Sequence, residues 1–348
     1  MPMGAPPAHG VLVRKTLSVE VAIRYQQILA RFPKKQLLVI GDIMVDEYIW
    51  GSVSRLSPEA PVPVVEVKDE SFRLGGAGNV AANIHSLGGM ATLVGVVGND
   101  PPGERLIHQI EAAGMKSDGV VVDRTRPTTI KTRVVAGSQQ IVRFDRESTA
   151  DLSKEAADQV LELATERLAD ADAVLISDYA KGVIGKRVAR QILSLARRSQ
   201  KIVVVDPKVH HFPLYKGATV ITPNHHEALA FAHLPAWGQQ DLLAVAGREL
   251  LVKLEVKAIL VTRGEAGMSL FEDGRVTHIP AVAKEVYDVT GAGDTVLAVL
   301  ALAMASGASL KEAAVIANHA AGVVVGRAGT ATISREELLD ALKARVEG

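Results

Sequence analysis

Five short apolar runs, each closed by a polar residue, constrain this chain more than anything else in it. Leu37 to Ile40 ends at Gly41-Asp42, Ala173 to Ser177 at Asp178, and Ile202 to Val205 at Asp206. Thr219 to Ile221 ends at Thr222-Pro223-Asn224, and Ala258 to Val261 at Thr262. An uninterrupted apolar run of this length suits a strand covered on both faces, as in a parallel sheet. Helix-length stretches lie between the runs, at Lys154 to Ala169, Lys186 to Arg198 and Asp241 to Lys253. Strand, polar tip and helix in repetition predict an α/β fold, a mostly parallel central sheet flanked by helices. Ligands of open α/β sheets bind outside the carboxyl ends of the strands. The polar residues that close the runs therefore mark the expected site.

Two stretches depart from this pattern. Val62 to Val67 and Ile130 to Phe144 alternate in strand fashion, with Gly137-Ser138 as a hairpin turn, and predict a small antiparallel β lid. The expected organisation is an N-terminal tail and short helix over 1–34, with the helix from Ser18 to Phe32 stopped by Pro33. An α/β domain over 35–336 follows, with lid segments at about 50–75 and 120–146, and then a C-terminal tail over 337–348.

Composition removes several classes of function. Lys plus Arg and Asp plus Glu both total 39, so the basic stripe that nucleic acid requires is not expected. There is no cysteine, which excludes disulfides, thiolate zinc sites and thiol nucleophiles and fits a reducing cytoplasm. The longest apolar run, Val296 to Ala305, is half the roughly 20 residues that a membrane span needs. Residues 1–10 are rich in Pro, Gly and Ala and read as a flexible start without a signal peptide.

The strongest chemical signal is Asp288-Val289-Thr290-Gly291-Ala292-Gly293-Asp294, which opens directly into an apolar helix. Unpaired amides and the helix dipole make such a start an anion hole for phosphate oxygens. Phosphoryl transfer needs positioning, neutralised charge and a base for the attacking hydroxyl. Gly291, Ala292 and Gly293 suit the hole, and Asp294 suits the base.

That segment resembles the Asp-Thr-x-Gly-Ala-Gly-Asp signature of the ribokinase-like (PfkB-type) carbohydrate kinases, with Val289 where Thr is common. The family's other signature, a Gly-Gly pair before an Asn, is similar to Gly75-Gly76-Ala77-Gly78-Asn79. The resemblance implies a ribokinase-like fold, with ATP and Mg2+ as donor and cofactor. It implies sugar contacts at Asp42, Gly75, Gly76 and Asn79, and leaves Asp46 as a support of the turn. Asn224 and Glu227 in Thr222-Pro223-Asn224-His225-His226-Glu227 match the Asn-x-x-Glu element, with Glu227 reaching magnesium through water. Thr262 and Gly264 fall in the nucleotide loop, and Asn318 at an adenine-contact position. In many relatives the positions of Asp288 and Thr290, with the Gly329 region, bind a monovalent cation, so the resemblance implies potassium as a second ion. His225 and His226 read as surface or supporting residues.

Residues Gly51 to Val65 resemble a segment of the bacterial heptose 7-phosphate kinases, and Asp206-Pro207-Lys208 agrees with that subgroup. A phosphorylated sugar needs cations at its far end. Lys131 and Arg133, two apart in a strand, project from one face. Lys208 stands at a strand's carboxyl end, where it can reach the sugar phosphate or the nucleotide. Arg143, under a two-residue turn, is expected opposite Thr132 and away from Arg133. The expected partners are a small sugar phosphate, ATP and a second copy of the chain across the lid, with neither nucleic acid nor membrane. With no His-x-Gly-His element after Asp294, the kinase step alone is expected. The rivals are a kinase for fructose 6-phosphate, another sugar or a nucleoside, and a non-catalytic sensor on the same fold.

Overall fold

The computed structural model describes residues 20–137, 139–235, 240–283 and 285–347. The expected flexible start at 1–10 and Ser138 of the hairpin turn lie outside the described residues.

The chain begins with helix α1 (20–29) and strand β1 (Gln36–Gly41), followed by β2 (Ile43–Leu56), β3 (Pro63–Gly76), α2 (Ala77–Ser86), β4 (Met90–Gly98) and α3 (Pro101–Ala112). Strands β5 (Val120–Asp123), β6 (Thr129–Ala136) and β7 (Gln139–Arg146) precede α4 (Lys154–Leu168), β8 (Ala173–Ser177), α5 (Lys186–Arg198) and β9 (Ile202–Asp206). Next come β10 (Val220–Ile221), α6 (His225–Phe231), α7 (Gln240–Leu254), β11 (Ala258–Thr262), β12 (Met268–Glu272) and β13 (Arg275–Ile279). Helices α8 (Ala292–Ala305), α9 (Leu310–Val324) and α10 (Arg335–Glu347) complete the order.

The main sheet runs β13-β12-β11-β10-β9-β8-β1-β4-β5. The strands from β11 to β5 are mutually parallel, and β12 and β13 fold back antiparallel at one edge. Its two faces are buried under separate cores. On one, Leu37, Val39, Leu175 and Val204 meet α2, α8 and α9; on the other, Leu38, Ile40, Ile176 and Val205 meet α4, α5 and α7. Alternate residues of the same run thus serve opposite cores, which is why the runs show no polar alternation. Helix α8 is apolar all round because it lies between the sheet and α2 and α9. Its fully buried Leu297, Val299, Leu300 and Leu302 each contribute about 1.5–3 kcal/mol of hydrophobic stabilisation.

The smaller sheet runs β3-β2-β6-β7, two antiparallel hairpins whose inner strands β2 and β6 pair in parallel. Residues 120–123, expected in the lid, instead form β5 at the edge of the main sheet, where Gly95 to Gly98 of β4 supply the ladder. Residues 337–348, expected as a tail, belong through Glu347 to α10, which buries Leu338 and Leu342 against the core.

The register of the lid hairpin also differs from expectation. Ala136 pairs with Gln139 and Val135 with Gln140, as a two-residue turn requires, but an irregularity follows between Val134 and Val135. The extra residue, Ile141, shifts the ladder by one, so Arg143 pairs with Arg133 rather than Thr132. The bulge therefore turns Arg143 to the same face as Lys131 and Arg133.

Candidate active site

The carboxyl ends of β1, β8, β9, β10 and β11 bring together Asp42, Asp178, Asp206, Asn224 and Thr262 on one rim of the sheet. Helix α8 points its N-terminus at that rim. Gly291 caps it in the left-handed region, φ 78°, where a methyl would lie 2.7 Å from Asn79 Nδ2. Only glycine fits there on both counts. Gly293 sits near the tip of β9, its missing methyl 3.9 Å from Asp206 Oδ2. The Ala292 amide turns back to the Val289 carbonyl at 3.2 Å, so Ala292 is not a free donor of the expected anion hole. Among the described residues the amides of Gly291 and Gly293 take no backbone acceptor outside the helix, as a helix start leaves them.

Asp294, in the first turn of α8, is 1 % exposed. Its Oδ2 accepts from Asn79 Nδ2 and its Oδ1 from the Tyr179 hydroxyl, both at 2.9 Å. Burial pushes its carboxyl up to about 7, against the pull of those two donors and of Lys208. A carboxyl that titrates near neutrality is suited to taking a proton in one step and releasing it in the next.

The two aspartates that follow β1 take different partners. Asp42 faces the loop after β8: Oδ2 takes the amides of Tyr179 (2.8 Å) and Lys181 (3.1 Å), and Oδ1 that of Val183 (3.1 Å). Burial raises it to about 6 in spite of these bonds. Asp46 lies on β2 at 4 % exposure and meets Arg133 Nη1 at 2.5 Å. A methyl on Gly75 would lie 2.3 Å from Asp46 Oδ2, so Gly75 makes room for this carboxylate. Gly76 holds φ 55° and abuts the Asp42 carbonyl, which turns β3 into α2 and presents Asn79.

Lys131 and Arg133 are both 8 % exposed. Lys131 meets Asp145 (3.1 Å) and Glu147 (3.4 Å); Glu147 also takes Lys181 at 2.7 Å, and Asp145 takes Arg143 at 2.6 Å. The Arg143 guanidinium, with burial opposing it and Lys131 assisting, holds Asp145 far below the ordinary carboxylate range. Three lid cations and Lys181 thus share three carboxylates, Asp46 included.

Lys208 Nζ meets Glu227 Oε1 at 2.8 Å and lies 5.1 Å from the Tyr179 ring. Burial disfavours its charge, but Asp206 and Glu227 outweigh that and raise it. Asp206 itself is pushed by burial to about 7. Asn224 and Glu227 form a capping box at the start of α6, each side chain accepting the other's amide at 2.9 Å. Thr262 bridges Asn224 across the strand ends, and Gly264 begins the next turn with φ 57°. A cavity of about 580 Å³ opens beside Tyr179, lined also by Lys181, Lys208, His210 and His211.

Other expected residues stand differently. Asn318 donates to the Pro280 carbonyl at 2.8 Å and so anchors the segment after β13. Asp288 accepts from the amides of Thr290 and Gly329, both at 2.9 Å, and from the Tyr48 hydroxyl at 3.3 Å. The His225 and His226 rings lie against each other, centroids 3.8 Å apart. Sequence reasoning missed Tyr179 and Lys181, although their position just past Asp178, at a strand's carboxyl end, was signal enough.

Residues 34–337 match the pfkB family carbohydrate kinases. Bifunctional protein HldE of Geotalea uraniireducens is 47% identical over 315 residues, which cover 90% of this chain and 64% of that protein. Bifunctional protein HldE of Helicobacter pylori is 44% identical, over 87% of this chain and 65% of its own length. The chain thus spans about two thirds of the length of these relatives. Among solved structures, Arabidopsis thaliana ribokinase complexed with ribose and ATP superposes with a TM-score of 0.72 at 23% identity, covering 89% of this chain and 99% of its own. Escherichia coli phosphofructokinase-2 does so at 0.74 and 19%, covering 90% and 99%. These establish the ribokinase-like fold. With a family match over most of its length and relatives nearly half identical to it, the chain belongs to the pfkB family of carbohydrate kinases.

Proposed function

We propose that the protein transfers the γ-phosphoryl group of ATP to O1 of D-glycero-D-manno-heptose 7-phosphate, giving heptose 1,7-bisphosphate on the route to ADP-heptose and lipopolysaccharide. The observation that carries this reading is a site with two unlike ends. One end holds a buried carboxylate, Asp294, beside the N-terminus of α8; the other holds Lys131, Arg133 and Arg143 on one face of the lid. A sugar hydroxyl suits the first and a distal phosphate the second, where Arg offers a fork and Lys a point charge. The resemblance of Gly51 to Val65 to heptose 7-phosphate kinases, and the similarity to HldE over 90% of the chain, favour the heptose over other acceptors. The reading covers phosphoryl transfer only, because the chain spans 64% of that relative's length.

In this account Asp46, Asn79, Gly75 and Gly76 hold the acceptor. Asp294 takes the O1 proton as O1 attacks the γ-phosphorus. The bond to the β–γ bridging oxygen breaks, and ADP leaves. The amides of Gly291 and Gly293 and the Lys208 ammonium face the charge that builds on the transferring group. Asn224, Thr262 and Gly264 line the path of the nucleotide. Glu227 already serves the Asn224 amide and Lys208, and no cluster of three potential ligands occurs among the described residues. That suits Mg2+ held by ATP and water, with Glu227 as its protein partner through water. When bound, the ion supplies neutralisation of phosphate charge. Asp288 accepts the amides of Thr290 and Gly329, and potassium enters no step here.

A homodimer across the lid accords with exposed Val53, Leu56, Val67 and Phe144 on that sheet and with its open edges at β3 and β7. A cytoplasmic setting accords with ATP as donor, and no described helix is long and apolar enough to cross a membrane. The reading is tested by ADP release with magnesium-ATP against the heptose phosphate, fructose 6-phosphate, ribose and adenosine. Turnover confined to the heptose phosphate is expected. Preference for another acceptor would overturn the assignment of the lid, and silence on all four would overturn the heptose assignment and bring a sensor or an untested acceptor to the front.

A further inference from the structure

We infer that Tyr179 is a positioning residue for phosphoryl transfer, its hydroxyl holding the Asp294 carboxylate in the orientation from which it takes the acceptor's proton. The inference rests on Asp294 being the base. The carboxylate is clamped by two donors from unrelated parts of the chain, Asn79 of α2 on Oδ2 and Tyr179 of the loop after β8 on Oδ1, each at 2.9 Å. With one donor on each oxygen the carboxylate plane is fixed, and the lone pairs that remain define where an acceptor hydroxyl must come. Either donor alone would leave the group free to rotate about its last bond.

The loop that carries Tyr179 is built at some cost, and its construction holds the ring in place. Asp42 is consumed by the amides of Tyr179, Lys181 and Val183. Asp178, fully buried, takes the Ala180 amide on Oδ1 and His211 and the Tyr215 hydroxyl on Oδ2. Between them Ala180 is driven to φ 56°, a left-handed conformation that costs a non-glycine residue about 1 kcal/mol or more. Two buried carboxylates and a strained alanine thus fix five residues whose outward products are the Tyr179 hydroxyl on Asp294 and the Lys181 ammonium on Glu147. The same loop therefore touches the base and, through Glu147, the Lys131 of the lid.

Electrostatics gives the clamp a second effect. Asp46 and Asp206 face Asp294 and oppose its charge, Lys208 favours it, and Asn79 and Tyr179 are the neutral donors on its oxygens. Loss of the Tyr179 donor shifts the balance toward the protonated, inactive form.

The test is Y179F, which removes one oxygen and leaves the ring. The acid limb of kcat/KM, measured from pH 5 to 9, is expected to move up by about one pH unit, the worth of one hydrogen bond to a charged group. The loss should be tenfold or more below the limb and smaller above it. The carbon-13 carboxyl titration of Asp294, read by NMR and assigned with D294N, should move the same way, and the melting temperature should fall by only a few degrees above pH 7. Full turnover retained above the limb, or an unmoved carboxyl titration, would overturn the inference. The titration needs no turnover. Silence on every acceptor with a moved titration would therefore sink the heptose reading and not the Tyr179 contact.

Discussion

Arg133 on β6 donates to Asp46 on the neighbouring, parallel β2 at 2.5 Å, and neither side chain is more than 10% exposed. Burial raises the Asp46 carboxyl and Arg133 is the largest influence opposing that rise, so the pair stands or falls together. Replacing one partner strands the other. R133M is expected to cost about 3 kcal/mol in urea unfolding, the range for a broken buried pair. D46N/R133M should lose less than the single variant, because no uncompensated charge remains. Additive losses would show that the two side chains act independently.

Gly75 gives a sharper test of the acceptor pocket. A methyl there would lie 2.3 Å from Asp46 Oδ2 and 2.8 Å from Met44 Cγ, so G75A must displace the carboxylate. Overpacking of this kind costs about 1–3 kcal/mol. The acceptor KM should rise at least tenfold while the ATP KM stays within twofold, as read from initial rates with each substrate varied. An equal rise in both would contradict the placement of Asp46 on the acceptor side.

The pH dependence of stability follows from Asp294. Unfolded, its carboxyl releases the proton near 3.8; folded, near about 7. Between those values the native state holds a proton that the unfolded chain has lost, so this group's contribution is full below pH 4 and is lost as pH rises through 7. D294N lacks the cost. Its melting temperature should climb relative to the parent between pH 4 and 8, corresponding to a few kcal/mol at most. A constant difference across that range would contradict the buried, neutral-range carboxyl.

Glu227 serves a cap and a charge at once, and E227Q separates them. The Gln carbonyl can still accept the Asn224 amide, so the melting temperature should stay within about 2 °C. The charge that Lys208 meets at 2.8 Å is gone, and half-activation by magnesium should need about tenfold more of the ion. N224A, by contrast, should cost about 1 kcal/mol of stability through the lost cap. If E227Q left the magnesium titration unchanged, Glu227 would be a cap alone.

Much of this was legible in the sequence because the buried strands announce themselves. Runs such as 173–176 and 258–261 serve two cores at once and leave no room for polar residues before their tips. Strand β4 was hidden by Gly95, which admits no methyl beside the Gly41 carbonyl and Ile43. The glycines around Asp294 were legible because a helix start with Gly on both sides has little other use. What could not be read was which partner each polar tip would choose. Asp42 and Asp46 stand four apart, and only the tertiary fold decides that the first binds the amides of the loop after β8 and the second, on β2, faces Arg133. Arg143 turned on a bulge at Ile141 that no residue type signals.

The most direct measurement is the identity of the product, by phosphorus NMR after incubation of the protein with magnesium-ATP and D-glycero-D-manno-heptose 7-phosphate, with D294N alongside. The account predicts a second phosphate resonance coupled to the anomeric proton, and its formation slowed about 10²–10⁴-fold in D294N, the usual worth of a general base. A phosphate on any other hydroxyl, or a D294N variant within tenfold of the parent, would contradict it.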